Sequence, residues 1–301
     1  MLNVQVLSEF KRLSGPEDQQ KALLGPLFEL LGGWSGSKGW NVISMPSPGS
    51  KPEDEGKFIA LVQPYYEKIT FAPIGGAVRN RGGDEDQFIG GVTYELSVAD
   101  LDTDETLHVE NGMWLNLATI KTVPGDENAT PPQFRIARTA SIPHGDSLLL
   151  LGNSIETASA PRFGDGVPPA DVNPTNIGHP KLRGYTETLR IPMVQKGLNP
   201  SDMNLQLKKD IDGLNITRTT TLSVDSRNGG GILNVPFVKD RAHATRIQST
   251  FWIETVCDES GLEFLQLQYN QITDIDFHKP FGGGEGLIVW PHGNINTLRK
   301  Q

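Results

Sequence analysis

Leu31-Gly32-Gly33-Trp34-Ser35-Gly36 divides the chain into two textures. Before it, Leu23, Leu24, Leu27, Phe28, Leu30 and Leu31 recur at helical spacing, which predicts a short N-terminal helix. The paired glycines stop that apolar stripe. Beyond Gly36 the pattern changes to short alternating runs broken by Gly, Pro, Asn and Asp. Strands are expected at 58–62, 66–71, 88–98, 106–117, 134–142 and 147–151, and again at 184–193, 205–209, 214–224, 245–256 and 264–275. About a dozen strands at hairpin spacing predict an all-β fold, an antiparallel barrel or sandwich.

Three stretches break this rhythm. Residues 156–179 are rich in Pro, Gly and Asn, residues 226–244 open on Ser226-Arg227-Asn228-Gly229-Gly230-Gly231, and residues 281–286 contain Gly282-Gly283-Gly284. All three read as loop insertions into one elaborated domain over 1–301, because no internal repeat is found. Whether they act as a lid stays open at this point.

The 301 residues are 37% hydrophobic and 21% charged, an ordinary globular composition. A net charge of -9 without a Lys/Arg cluster argues against a phosphate-binding surface, so no nucleic-acid partner is expected. Cys257 is the single cysteine, which excludes an internal disulfide and a multi-cysteine metal site. Its place after the apolar run 251–256 predicts a buried structural thiol. Met1 to Phe10 lack the basic and apolar regions of a signal peptide, and no run nears the ~20 apolar residues of a membrane span. A soluble, cytoplasmic protein without a membrane partner is the expectation, its oligomeric state open to a homo-oligomer.

Alternation assigns faces, since side chains at i and i+2 share one. Leu107, Val109, Met113, Leu115 and Leu117 fall on one side of their strand, and His108, Glu110, Trp114 and Asn116 on the other. Phe134, Ile136, Arg138, Ala140 and Ile142 share a face, which sets an arginine in an apolar row. Facing inward, Arg138 requires an anion or several acceptors; facing outward, it lies along the wall.

Several segments, taken in order, resemble the nitrobindin-like haem-binding β-barrels, calycin-like relatives in shape of lipocalins and fatty-acid-binding proteins. Gly32-Gly33-Trp34-Ser35-Gly36, with Gly39 displaced, is similar to the family's Gly-x-Trp-x-Gly entrance. Tyr66-Glu67-Lys68-Ile69-Thr70-Phe71 is similar to its Tyr-x-Glu-x-Ile-x-Phe strand, and the segment from Leu107 to Trp114 to its His-x-Glu-x-Gly-aromatic strand. Ile136-Ala137-Arg138-Thr139 resembles a cavity strand that carries an uncharged amide where Arg138 stands here, and Pro291-His292 matches the place of the proximal haem histidine. The resemblance implies an up-and-down barrel that binds haem b, with His292 on the iron. Trp34, Met113, His108 and Arg138 would line the cofactor site. His108 and Arg138 would face bound nitric oxide, or peroxynitrite during isomerisation to nitrate. The chain departs from the family in its length, its insertions and the charge of Arg138.

Two other classes compete. One is a metal-free carrier or sensor of a small hydrophobic carboxylate or other anionic ligand, anchored by Arg138. The other is an interaction scaffold whose interior is filled by its own side chains. The glycine-framed loop Gly75 to Gly83 lacks the Lys-Ser/Thr ending of a phosphate loop, and reads as a hairpin turn. His144 reads as a turn residue, while His179, His243 and His278 lie in or beside insertions. No zinc-type histidine spacing and no Gly-x-Ser-x-Gly elbow occurs.

Overall fold

A computed structural model of the chain describes residues 17–47, 56–75, 78–80, 87–117, 133–164, 169–173, 186–189, 196–281 and 283–301. Helix α1 (Glu17–Leu24) runs into a 3-10 segment over Gly25–Leu30 and then directly into the first strand. Thirteen strands follow: β1 (Gly32–Pro46), β2 (Lys57–Pro73), β3 (Val78–Asn80), β4 (Gln87–Asp100), β5 (Thr106–Asn116), β6 (Ile136–Ile142), β7 (Asp146–Thr157), β8 (Thr186–Leu189), β9 (Asn215–Asp225), β10 (Gly231–Asn234), β11 (Ala242–Cys257), β12 (Glu263–Phe277) and β13 (Ile288–Lys300). Helices α2 (Asn204–Asp210) and α3 (Pro236–Lys239) interrupt them.

Ten strands close on themselves in the order β1-β2-β4-β5-β6-β7-β9-β11-β12-β13 and back to β1. Each is antiparallel to the next barrel strand in sequence, so this is an up-and-down, calycin-like barrel. Closure leaves no unpaired edge among the ten. The short strands β3, β8 and β10 add to β4, β2 and β7 from outside the ring.

One half of the interior is solid. Leu24, Leu27 and Leu30 plug that end, against Trp34, Phe71, Val92, Trp114, Ile136, Leu150, Ile253, Leu267 and Leu298. The indole N–H of Trp34 donates to the Leu30 carbonyl at 2.7 Å, which fixes the helical entry on the barrel wall.

A second core lies outside the barrel. Ala170, Val172, Leu198, Met203 and Leu207 cover Val42, Trp252 and Ile295 on the outer face of β1, β11 and β13. Polar pins hold this cover: Ser44 Oγ donates to the Val172 carbonyl at 2.6 Å, and Asn270 Nδ2 to Asn204 Oδ1 at 2.6 Å. Residues 205–209, expected as a strand, belong to α2. Leu205 and Leu207 satisfy period 2, but only Leu207 docks; Leu205 is 40% exposed.

The described part of the 156–179 insertion therefore backs the wall, while 226–244 forms β10 and α3 beside the barrel mouth. His179, the rest of 184–193 beyond β8, Gly282 and all of the 75–83 loop except Gly75 and β3 lie outside the described residues. Strands β1, β3, β10 and β13 are absent from the sequence-derived set. Four glycines in β1, and Pro291, Gly293, Asn294 and Asn296 in β13, imitate turn chemistry. Cys257, expected as buried, is half-buried at the end of β11. No described helix is long and apolar enough to cross a membrane.

Candidate functional site

The other half of the barrel is hollow, with a cavity of about 520 Å³. Small-molecule sites run from about 300 to 1,000 Å³. Along β1 the filled end begins at Trp34 and the cavity is reached at Asn41 and Ile43; along β13 the sequence runs from Leu298 to Asn294 and His292. Ile43, Leu96, Val98, Leu107, Ile142 and Ile275 supply apolar wall, and Val238 of α3 stands at the edge.

Arg138 faces inward with Ile136, Ala140 and Ile142 of its row and is 3% exposed. Its Nε donates to the Tyr94 hydroxyl at 3.0 Å, Nη1 to Gln271 Oε1 at 2.7 Å and Nη2 to Glu110 Oε1 at 2.7 Å. Tyr94 donates to the same Glu110 oxygen. The guanidinium carbon also lies 5.5, 5.8 and 5.7 Å from the ring centres of Tyr94, Trp114 and Phe251. Burial pushes the Glu110 carboxyl up, but Arg138 and the hydrogen bonds from His108, Tyr94 and Arg138 outweigh it and bring it down to about 2. Both partners are thus ionised at neutral pH and cancel. Arg138 offers a guest remaining N–H groups rather than a net positive charge.

His108 is engaged at both nitrogens: Nε2 stands 3.3 Å from Glu110 Oε2, and Nδ1 3.2 Å from His144 Nε2. Burial, then the neighbouring His108, lowers the pKa of His144. On the opposite wall His292 Nε2 lies 2.5 Å from Asn41 Oδ1. That oxygen also accepts Asn294 Nδ2 at 3.0 Å, while Asn41 Nδ2 donates to Gln63 Oε1 at 3.0 Å. Asn41 therefore presents its acceptor, Nε2 carries the hydrogen, and the ring lone pair is on Nδ1. Burial, with His108 and His144 adding like-charge repulsion, lowers the His292 pKa to about 4, so the ring is neutral at pH 7.

A third cluster marks the boundary between hollow and filled halves. Tyr65 and Tyr269 both line the cavity, and their hydroxyls are 2.7 Å apart. Tyr269 donates to Glu67 Oε2 at 2.8 Å, Asn296 Nδ2 donates to the same oxygen at 2.9 Å, and Tyr65 donates to the Ile295 carbonyl at 3.0 Å. Gly39 makes room for this arrangement, since a Cβ there would fall 2.3 Å from the Tyr65 ring.

Of the residues singled out in the sequence, His108, Arg138 and His292 meet in one cavity. Trp34 does not line it: its ring is sealed into the filled end, which corrects its assignment to the cofactor site. Met113 is likewise corrected. The parity that turns Trp114 inward turns Met113 to the outer wall, where it is 42% exposed. His144, Asn41, Tyr65, Glu67 and Tyr269 were not identified as site residues. Their partners lie on strands distant in sequence, and only the Tyr66–Phe71 motif touched this group. Among the described residues no set of three or more His, Cys, Asp or Glu is placed to hold a metal ion.

No family model matches the chain, and no curated protein matches it. Among solved structures, the crystal structure of Rv2717c from M. tuberculosis is similar over 93% of this chain and 99% of that chain, at 13% identity and a TM-score of 0.41.

Proposed function

We propose that the protein is a small-ligand-binding barrel whose cavity takes haem b, with His292 as the iron ligand. The observation that carries this reading is the state of His292: a neutral, half-buried ring on the cavity wall, its tautomer set by Asn41 so that a lone pair remains. Haem held there would supply a Lewis-acid position for nitric oxide, or for the isomerisation of peroxynitrite to nitrate. The chain's own contribution is orientation and exclusion of water. Asn41, itself bonded by Asn294, holds the imidazole, and the aliphatic wall from Ile43 to Ile275 keeps the guest dry. His108 and Arg138, already ordered by Glu110, face the guest from the far side.

The carboxylate-carrier alternative drew on a free charge at Arg138, and Glu110 neutralises it. The filled-scaffold alternative required a solid interior, whereas half of this barrel is open. Titration of the purified protein with haemin tests the proposal. A Soret band saturating at one equivalent is expected, and His292→Ala is expected to abolish it. A flat titration, or a band indifferent to His292→Ala, refutes it.

A further inference from the structure

Glu67 is 0% exposed, and one of its two carboxyl oxygens, Oε1, has no hydrogen-bond partner. Among the described residues no lysine or arginine forms an ion pair with it. Across β1 and β4 its register partners are Gly36 and Val98. From β12 and β13 it meets Tyr269 and Asn296. The titratable groups that act on it from β5 are His108 and Glu110, and Arg138 on β6 is paired with Glu110. An uncompensated buried carboxylate costs several kcal/mol, and glutamine could accept the same two hydrogen bonds without that cost. What glutamate adds at this position is a place for a proton.

We infer that the Tyr65–Tyr269 hydroxyl pair is an oxyanion-binding subsite of the cavity, and that Glu67 takes up one proton when a carboxylate or phenolate guest is bound there. The hydrogen bonds have two polarities. With Glu67 ionised, Tyr269 donates to Glu67 and its oxygen is open to accept from Tyr65, so no hydroxyl hydrogen of the pair is left for an anion. With Glu67 protonated, its O–H donates to Tyr269, Tyr269 donates to Tyr65, and the Tyr65 hydrogen is released from the chain. That hydrogen rests on the Ile295 carbonyl until a charged oxygen, a stronger acceptor, takes it. One proton from solvent thus makes the pair a donor and removes the negative charge behind it. A carboxylic acid kept neutral by its apolar site can serve as a hydrogen-bond donor in an oxyanion site. Burial, opposed by the hydrogen bonds of Asn296 and Tyr269, raises the Glu67 carboxyl to about 7, within reach of physiological pH. The subsite belongs to the haem-free protein and stands or falls apart from haem binding.

The test uses haem-free protein and benzoate, which stays ionised from pH 6 to 9. Affinity is expected to be flat below pH 7 and to fall about tenfold per pH unit above it. His108, His144 and His292 share the cavity, and any slope they cause survives Glu67→Gln; the tenfold-per-unit slope is expected to disappear in that variant. Tyr65→Phe is expected to weaken binding at pH 6 about tenfold, the effect of losing one hydrogen bond to a charged group. Infrared difference spectra of wild type at pH 8 provide a readout that needs no variant. A protonated-carboxyl band is expected to appear on adding benzoate. Absence of that band, absence of benzoate binding, or a slope unchanged by Glu67→Gln overturns the inference.

Discussion

Arg138→Met leaves the Glu110 carboxylate buried without its cation, and the structure gives the size of the consequence. The fall of the Glu110 pKa from 4.5 to about 2 corresponds to roughly 3 kcal/mol in favour of the ionised, paired state. Both side chains are at most 3% exposed, so solvent screens little of it. Removing one partner of such a pair generally costs about 3–5 kcal/mol. Urea unfolding at pH 7 should therefore show Arg138→Met and Glu110→Gln each destabilised by about 3 kcal/mol with unchanged m-values. The double variant Arg138→Met/Glu110→Gln should lie closer to wild type than the sum of the singles. The sign with pH follows from a depressed carboxyl. This stabilisation is present above 4.5 and drains away as pH falls toward 2, so wild type and Glu110→Gln should converge in acid. Single-variant losses below about 1 kcal/mol, or losses that add within about 0.5 kcal/mol, refute the claim that the pair is energetically coupled.

Glu254, beneath the outer cover, accepts Gln266 Nε2 at 2.6 Å, its other oxygen has no partner, and burial raises its carboxyl from 4.5 to about 8. A raised carboxyl costs nothing below 4.5 and its penalty grows until pH 8, so Glu254→Gln should stabilise the fold at pH 9 by up to about 5 kcal/mol and change little at pH 4. Thermal melts at the two pH values check it, and equal shifts at both contradict it. Gly39→Ala sets a methyl 2.3 Å from the Tyr65 ring. It should cost about 1–3 kcal/mol by overpacking and displace the Tyr65 hydroxyl from Tyr269, read as a lower melting temperature and altered tyrosine absorbance.

The architecture was legible where period-2 alternation ran unbroken. On β5 the parity that separates His108, Glu110 and Trp114 from Val109 and Met113 is the parity of the barrel, whereas Leu107, placed with Val109 by alternation, lines the cavity beside a register shift between β4 and β5. It was illegible where tertiary contact decides. Leu205-x-Leu207 fits strand or helix equally, and the choice is made by a hydrophobic surface on β1, β11 and β13 far away in sequence. Strand β13 hid behind inward asparagines, which serve the cavity and not a turn: Asn294 meets Asn41, and Asn296 meets Glu67. An arginine in an apolar row is readable from the sequence, but its inward direction and its neutralising partner are not, because Glu110 and Arg138 sit on different strands. Glu67 stands in a sequence motif that gives it no role. Its environment is assembled from Tyr269 and Asn296, each more than 200 residues away, and local sequence carries no trace of them.

The external cover has a mechanical consequence for the strand that carries His292. Directly after it, Gly293 turns its bare Cα to the cover so closely that a Cβ would fall 2.4 Å from Val172 and 3.0 Å from Met203. The strand is thereby gripped from behind while the imidazole is tethered in front. An arriving guest meets a ring whose position was settled during folding, and little ordering entropy is left to be lost on association.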